Sequence, residues 1–122
     1  MTDIVDLNVV LAAILPEDAL KERVERHLRR HDRLSVPFSV GIELLLVAER
    51  WGLPRVAAVG AVLERFDLEN SAILLTAAEA LDTREVPTVF DAVHLADALH
   101  RGGRLHTADA RLAQTPFPVV KV

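Results

Sequence analysis

Four acidic residues of this 122-residue chain lie within or beside apolar segments, where an ionised carboxylate is costly. They are Asp6, Glu43, Asp91 and Asp109. A carboxylate removed from water is tolerated mainly when it is paired with a cation or holds a metal ion. Carboxylate oxygens are the ligands that Mg²⁺ and Mn²⁺ prefer, and such an ion can lower the pKa of a water molecule and so supply a nucleophile. The four acids therefore indicate a divalent-metal site that supports hydrolysis.

Each acid also has an interpretation that involves no metal. Asp6 could cap the helix that follows it, and Asp91 stands at the third helical position of a capping box that begins at Thr88. Asp109 could cap the turn after it, and Glu43 could reach solvent from the edge of its helix. Capping and metal binding are compatible roles, so both interpretations stay open.

The elements that must position these acids alternate between strands and helices. The patterns predict strands near 3–6, 33–36, 66–68, 104–107 and 119–122, and helices over 9–15, 16–31, 37–51, 54–66, 71–81 and 88–101. This alternation predicts a single α/β domain over residues 1–122, with a short central parallel sheet in a three-layer α/β/α arrangement. Ligands of such sheets gather beyond the carboxyl ends of the strands, where Asp6 and Asp109 are expected.

Composition places the chain among soluble globular proteins of one domain. Hydrophobic residues make up 51% and charged residues 26%, and the absence of cysteine excludes disulfides, thiol catalysis and Cys-ligated zinc. No run approaches about 18 apolar residues and no basic segment opens the chain, so we expect no membrane association and a cytoplasmic location. The net charge of −4 argues against binding nucleic acid through overall charge. Without the four candidate ligands, however, the 18 acids fall to 14 and equal the 14 Lys and Arg residues.

The order and local sequences of the four acids resemble those of the PIN-domain family, and VapC-type toxins in particular. The matching segments are VDLN at 5–8, SVGIEL at 39–44, FDAVHLA at 90–96 and TAD at 107–109. The resemblance implies that Asp6 and Asp91 bind Mg²⁺ or Mn²⁺ directly, and that Glu43 and Asp109 hold waters or a second ion. Leu7 departs from the family, which usually has Thr or Ser there.

Three polar residues are expected to support these ligands. Asn8 lies on the same side of an extended segment as Asp6, and Ser39 precedes Glu43 by one helical turn. Thr107 matches the family's hydroxyl residue in the last motif. The three are therefore predicted to orient the carboxylates rather than to react.

The resemblance further implies a metal-dependent endoribonuclease that acts as the toxin of a toxin–antitoxin pair. Its partners would be RNA, a VapB-like antitoxin and a second copy of the chain, with part of the protein contacts on the apolar helices at 42–47 and 56–63. Two alternatives keep the same fold: a non-catalytic module that binds RNA or protein, and a PIN nuclease of RNA processing without an antitoxin. An aspartyl phosphotransferase is disfavoured, because Lys21 and Lys121 are the only lysines and neither follows an internal strand.

Two other residue sets could bind ligands. The histidines are predicted to be surface or packing residues, since His94 and His100 lack the one-turn spacing of a paired metal site. The basic residues of 21–33 could contact RNA phosphates. The favoured interpretation of this segment is a solvated helix face balanced by Glu22 and Glu25.

Overall fold

Six α-helices and four short strands make up the computed structural model, which describes residues 2–122. The helices are α1 Leu7–Ile14, α2 Lys21–Leu28, α3 Phe38–Trp51, α4 Arg55–Arg65, α5 Ser71–Asp82 and α6 Val89–His100. The strands are β1 Ser35–Val36, β2 Asp67–Leu68, β3 Leu105–Thr107 and β4 Val119–Lys121, with one 3₁₀ turn at Leu112–Gln114. The predicted alternation of strands and helices is confirmed.

All strand pairs run parallel, as the sequence predicts. β1 pairs with β2 through Ser35 opposite Asp67, and β3 pairs with β4 through Leu105 opposite Val119. The expected first strand is reduced to a single bridge from Ile4 to Ser35. The strands are shorter than predicted, so most of the core is built by helices, whose largest fully buried side chains include Leu44, Leu45, Leu74, Leu81 and Leu95.

α2 begins later than the sequence predicts. The Asp18 carboxylate accepts a hydrogen bond from the N–H of Leu20 at 2.8 Å, which holds the residues after Pro16 in turns. The Lys21 ammonium then donates to the carbonyls of Ala12 and Ala13 at 3.3 and 2.9 Å. These carbonyls belong to the last turn of α1 and have no partner within the helix, so Lys21 ties the start of α2 to the end of α1.

α3 lies unusually close to α5 at Gly41. A Cβ atom at this position would overlap the side chain of Leu74, which is fully buried on α5. The buried side of α3 consists of Val40, Gly41, Leu44, Leu45 and Ala48, and the helix ends at Gly52 in the left-handed conformation, with φ of +66°. Because this side of α3 is buried, Ser39 and Glu43 lie on the side that faces solvent.

An ion pair between buried Arg55 and half-buried Asp82 fixes α4 against α5. Asp82 accepts hydrogen bonds from the backbone N–H groups of Arg55 and Val56 at 2.9 and 3.0 Å, and its carboxylate lies 2.8 Å from Nε of Arg55. Burial alone raises the pKa of Asp82, but the two N–H groups and the Arg55 guanidinium together hold that pKa below its usual range. Asp82 thus supplies the N-terminal cap that Pro54 cannot. Between residues 2 and 122, no helix has the length and apolar character needed to cross a lipid bilayer.

Candidate active site

Asp6 lies where two surface clefts meet. Its Oδ1 accepts a hydrogen bond from the N–H of Val9 at 3.2 Å, so the predicted capping of α1 is confirmed. The smaller cleft, of about 490 Å³, is also lined by Asn8, and the larger, of about 750 Å³, is also lined by Ser39. Asn8 and Ser39, which were expected to support Asp6 and Glu43, therefore each line a cleft beside Asp6. The cap uses one carboxylate oxygen and leaves the other for a ligand.

Glu43 is exposed on the outer side of α3. The expectation that its apolar neighbours bury it is wrong, because those neighbours divide around the helix and Leu44 and Leu45 take the buried side. Among residues 2–122, Ser39 and Glu43 form no hydrogen bond with each other. α3 packs against both α1 and α6, so Glu43 is carried by the helix that lies between the elements bearing Asp6 and Asp91.

Asp91 lies in the first turn of α6 and is half-buried. The Thr88 hydroxyl donates to its Oδ2 at 2.5 Å. In the predicted capping box this hydroxyl would accept a bond from the helix backbone, and that bond is absent from the described part of the helix. The Thr88 hydroxyl thus holds the Asp91 carboxylate in place at the N-terminus of α6.

Asp109 follows β3 and is held by its own turn. Its N–H donates to the Thr107 hydroxyl at 3.1 Å, and its Oδ1 accepts from the N–H of Arg111 at 2.9 Å. The Arg111 guanidinium spans both carboxylate oxygens, with Nε at 3.2 Å from Oδ1 and an Nη at 2.9 Å from Oδ2. These hydrogen bonds, first that of the guanidinium, lower the pKa of Asp109.

Arg111 is held by Asp109. The pKa of its guanidinium is raised mainly by the hydrogen bonds to Asp109, with a smaller contribution from the negative charge of Asp91. Asp97, the other acid of α6, instead pairs with Arg101 one turn later on the same helix at 2.8 Å.

The four acids supply a donor set that suits a hard cation, but they do not enclose one. Across residues 2–122, no three His, Asp or Glu side chains stand close enough to hold a metal ion together. Mg²⁺ commonly binds one or two protein carboxylates and keeps several waters, so a closed cage is not required. The chemistry of the oxygen donors fits Mg²⁺ or Mn²⁺.

Comparison with protein families identifies the family to which the chain belongs. The profile of the PIN domain matches residues 4–118, a span that contains all four acids. The chain belongs to the PIN domain family. PIN domains are generally nucleases, and the predicted α/β fold with short parallel strands between helix layers is confirmed for this PIN domain. A comparison with curated proteins finds no match.

Sequence reasoning missed two features of this PIN domain. The first is Arg111, whose position two residues after Asp109 lets one turn close onto the carboxylate. The second is that Arg23, Arg26 and Arg30 line a cleft beside Asp6, whereas the favoured interpretation of their segment was a solvated helix face. Their spacing of three and four residues is that of one helix face and was the available signal.

Proposed function

We propose that this PIN domain is a Mg²⁺- or Mn²⁺-dependent endoribonuclease and the toxin of a VapBC-type pair in the cytoplasm. The observation that carries the proposal is the family match over residues 4–118. This span contains Asp6, Glu43, Asp91 and Asp109, the four acids whose local sequences resemble the motifs of the family. Two of these acids, Asp6 and Asp109, follow the carboxyl ends of parallel strand segments, where open α/β sheets bind ligands.

The four acids would have different roles in the reaction. Asp6 and Asp91 would hold the metal ion directly, while Glu43 and Asp109 would orient waters and accept a proton from the attacking one. When bound, the ion supplies positive charge against the phosphodiester and lowers the pKa of water. Thr88 fixes the Asp91 carboxylate through its 2.5 Å hydrogen bond, and Thr107 fixes the turn that carries Asp109.

Arg111 has to release Asp109 before that carboxylate can take a new partner. Its guanidinium is exposed and held on a single carboxylate, so the exchange requires only a side-chain rotation. Once released, Arg111 would stand beside the two acids with its five donors available to a phosphate.

Cleavage of RNA with and without divalent metal tests the proposal. Purified protein should cut RNA internally in Mg²⁺ or Mn²⁺, stop in EDTA and leave 5′-phosphate and 3′-hydroxyl ends, since a water nucleophile needs no ribose hydroxyl. Asp6→Asn should be inactive and Asp97→Asn active. Undiminished cutting in EDTA would refute the metal requirement, and 2′,3′-cyclic phosphate ends would redirect attention to the histidines.

The toxin role implies an antitoxin and a second copy of the chain as partners. α3 and α4 offer a surface for these contacts, because Leu46 is 37% exposed, Trp51 is 53% exposed, and Val56 and Leu63 are half-buried. Co-expression with the product of the neighbouring reading frame should silence the nuclease, and the mass in solution should be that of a dimer. An active monomer with no inhibitory neighbour would favour a nuclease of RNA processing.

The competing function is a binding module without catalysis. It is favoured by the local hydrogen bonds of Asp6 and Asp109, which are those of a helix cap and a turn. A protein that binds RNA equally well in EDTA and in Mg²⁺, but never cuts it, would be this module.

A further inference from the structure

Three arginines and a histidine line the smaller of the two clefts beside Asp6. This space, of about 490 Å³, is called here the α2 cleft, and its polar lining is Asp6, Asn8, Arg23, Arg26, His27 and Arg30. The four basic residues follow one another at intervals of three, one and three, so they lie on one face of α2 and its continuation. The α2 cleft is therefore basic on one side and bears the first candidate acid on the other.

Three other charged residues of this segment are engaged elsewhere. Lys21 donates to carbonyls at the end of α1, and Arg33 pairs with Asp67 at 2.7 Å. Glu25 accepts hydrogen bonds from two nitrogens of the Arg65 guanidinium at 2.9 and 2.8 Å, and this interaction is the main reason that the pKa of Glu25 lies below its usual value. Of the two acids that were expected to balance the helix face, Glu25 is thus turned toward α4, whereas Glu22 is exposed to solvent.

No such partner holds the arginines of the cleft. In the part of the chain from residue 2 to 122, the side chains of Arg23, Arg26 and Arg30 form neither hydrogen bonds nor ion pairs, and all three are exposed. Like charges one turn apart repel one another, so the arrangement is unfavourable without a ligand. Guanidinium groups stay charged at any working pH and bind phosphate oxygens through paired hydrogen bonds.

The dimensions suit a single nucleic-acid strand. The seven steps along the chain from Arg23 to Arg30 span about 10 Å at the helical rise, which equals about three nucleotides at a rise of 3.4 Å per strand. The volume is that of a pocket for one small ligand and leaves no room for a duplex. At Asp6 and His27 the α2 cleft meets the larger cleft, which continues to Ser39 at the start of α3.

We propose that Arg23, Arg26 and Arg30 hold successive phosphates of single-stranded RNA on one side of Asp6. The strand then passes Asp6 and continues into the larger cleft toward Ser39. The choice of RNA rests on the proposed function, while the polyanion site rests on the unpaired arginines alone. Because the whole chain has a net charge of −4, this local group supplies the attraction that the overall charge does not.

Equilibrium binding without metal tests the proposal apart from catalysis. The probe is a fluorescein-labelled, unstructured 12-nucleotide RNA, and its anisotropy is measured in EDTA at several KCl concentrations. The test variant is Arg23→Gln, Arg26→Gln and Arg30→Gln in one chain, which keeps long side chains and helix propensity. The control carries Arg29→Gln, Arg50→Gln and Arg104→Gln, three exposed arginines outside the cleft, and so has the same net charge.

The test variant should bind about tenfold more weakly, and the slope of log affinity against log salt should fall by about two, since each phosphate contact on a single strand contributes about 0.7. The control should keep the wild-type slope. A triple Arg→Lys variant at the three cleft positions should also keep it, because the slope counts charges. Thermal melts of all three variants would check that each one is folded.

Several outcomes overturn the proposal. Equal losses in the test variant and in the control would mean that only net charge matters. Unchanged RNA affinity in the test variant, together with lost binding of a labelled polyglutamate peptide, would identify a protein-docking surface instead. Failure of this proposal can be distinguished from failure of the nuclease proposal. If the wild-type protein cuts RNA and the test variant cuts it with the same KM, only the arginine site is refuted. If RNA binds through the cleft but is never cut, only the nuclease is refuted.

Discussion

Asp6 is predicted to have two separable roles, as a metal ligand and as the cap of α1. As a cap it accepts one hydrogen bond, from the N–H of Val9 at 3.2 Å, at an exposed site. Replacing such a cap by alanine costs about 1 kcal/mol of unfolding free energy, whereas asparagine caps as well as aspartate. In a domain of 122 residues, about 1 kcal/mol corresponds to roughly 4 °C in Tm.

Two substitutions separate these roles. Asp6→Asn should keep the cap, so that its unfolding free energy stays within about 0.5 kcal/mol of wild type, while its cleavage rate falls by about a hundredfold or more. Asp6→Ala should lose the same activity and in addition melt about 4 °C lower. Urea denaturation at neutral pH in EDTA and single-turnover RNA cleavage in Mg²⁺ measure the two effects independently.

The pair of variants can refute each role on its own. Asp6→Asn that retains a tenth or more of the cleavage rate would remove Asp6 from the catalytic set. Asp6→Ala that is as stable as wild type would show that Val9 and its neighbours need no cap. If Asp6→Ala were unfolded while Asp6→Asn stayed folded and active, helix capping would be the dominant role of this residue.

Three further predictions concern the other acids. Asp109→Asn should lower kcat by about a hundredfold and Asp97→Asn should change it little, as single-turnover rates would show; the reverse order would mean that the last motif has been misplaced. Arg111→Gln should raise the pKa of the Asp109 carboxyl toward its ordinary value, measured by carboxyl NMR titration without metal, because the guanidinium bond that lowers it is lost; an unmoved pKa would contradict this cause. Asp82→Ala should destabilise the fold by about 3 kcal/mol by leaving Arg55 buried without its main partner. Since the folded-state pKa of Asp82 is lowered, its contribution is present above the ordinary carboxyl pKa and is lost as pH falls through the folded value, so wild type and Asp82→Ala should converge in stability only in strong acid.

Helix order was readable because the apolar periodicity and the terminating residues agree along most of the chain. Pro37, Pro54 and Gly52 bound α3 and α4 almost where the sequence places them. The start of α2 was misplaced because Asp18 bonds to the backbone two residues later and so favours a turn over a helix. Local side-chain bonds of this kind leave little trace in hydrophobic periodicity.

The sequence proposes the acids of the candidate site but does not reveal their surroundings. The apolar neighbours of Glu43 suggested burial, yet Leu44 and Leu45 take the inner face and leave Glu43 exposed. Which way a helix faces depends on packing partners distant in sequence, here Leu74 of α5 against Gly41. The cleft that the α2 arginines line is likewise set by a tertiary contact, since Asp6, Asn8 and Val9 also line it.

The close approach at Gly41 ties the geometry of the candidate active site to a position that touches no substrate. Gly41 lies on α3 between Ser39 and Glu43, and the missing methyl group is the space that Leu74 fills. Close-packed interiors transmit displacements rather than absorb them. A larger residue at position 41 that pushed α3 away from Leu74 would therefore move Ser39 and Glu43 together. Substitutions at 41 and 74 are therefore interdependent: any side chain at position 41 requires Leu74 to change its rotamer, to be replaced by a smaller residue or to move away together with α5.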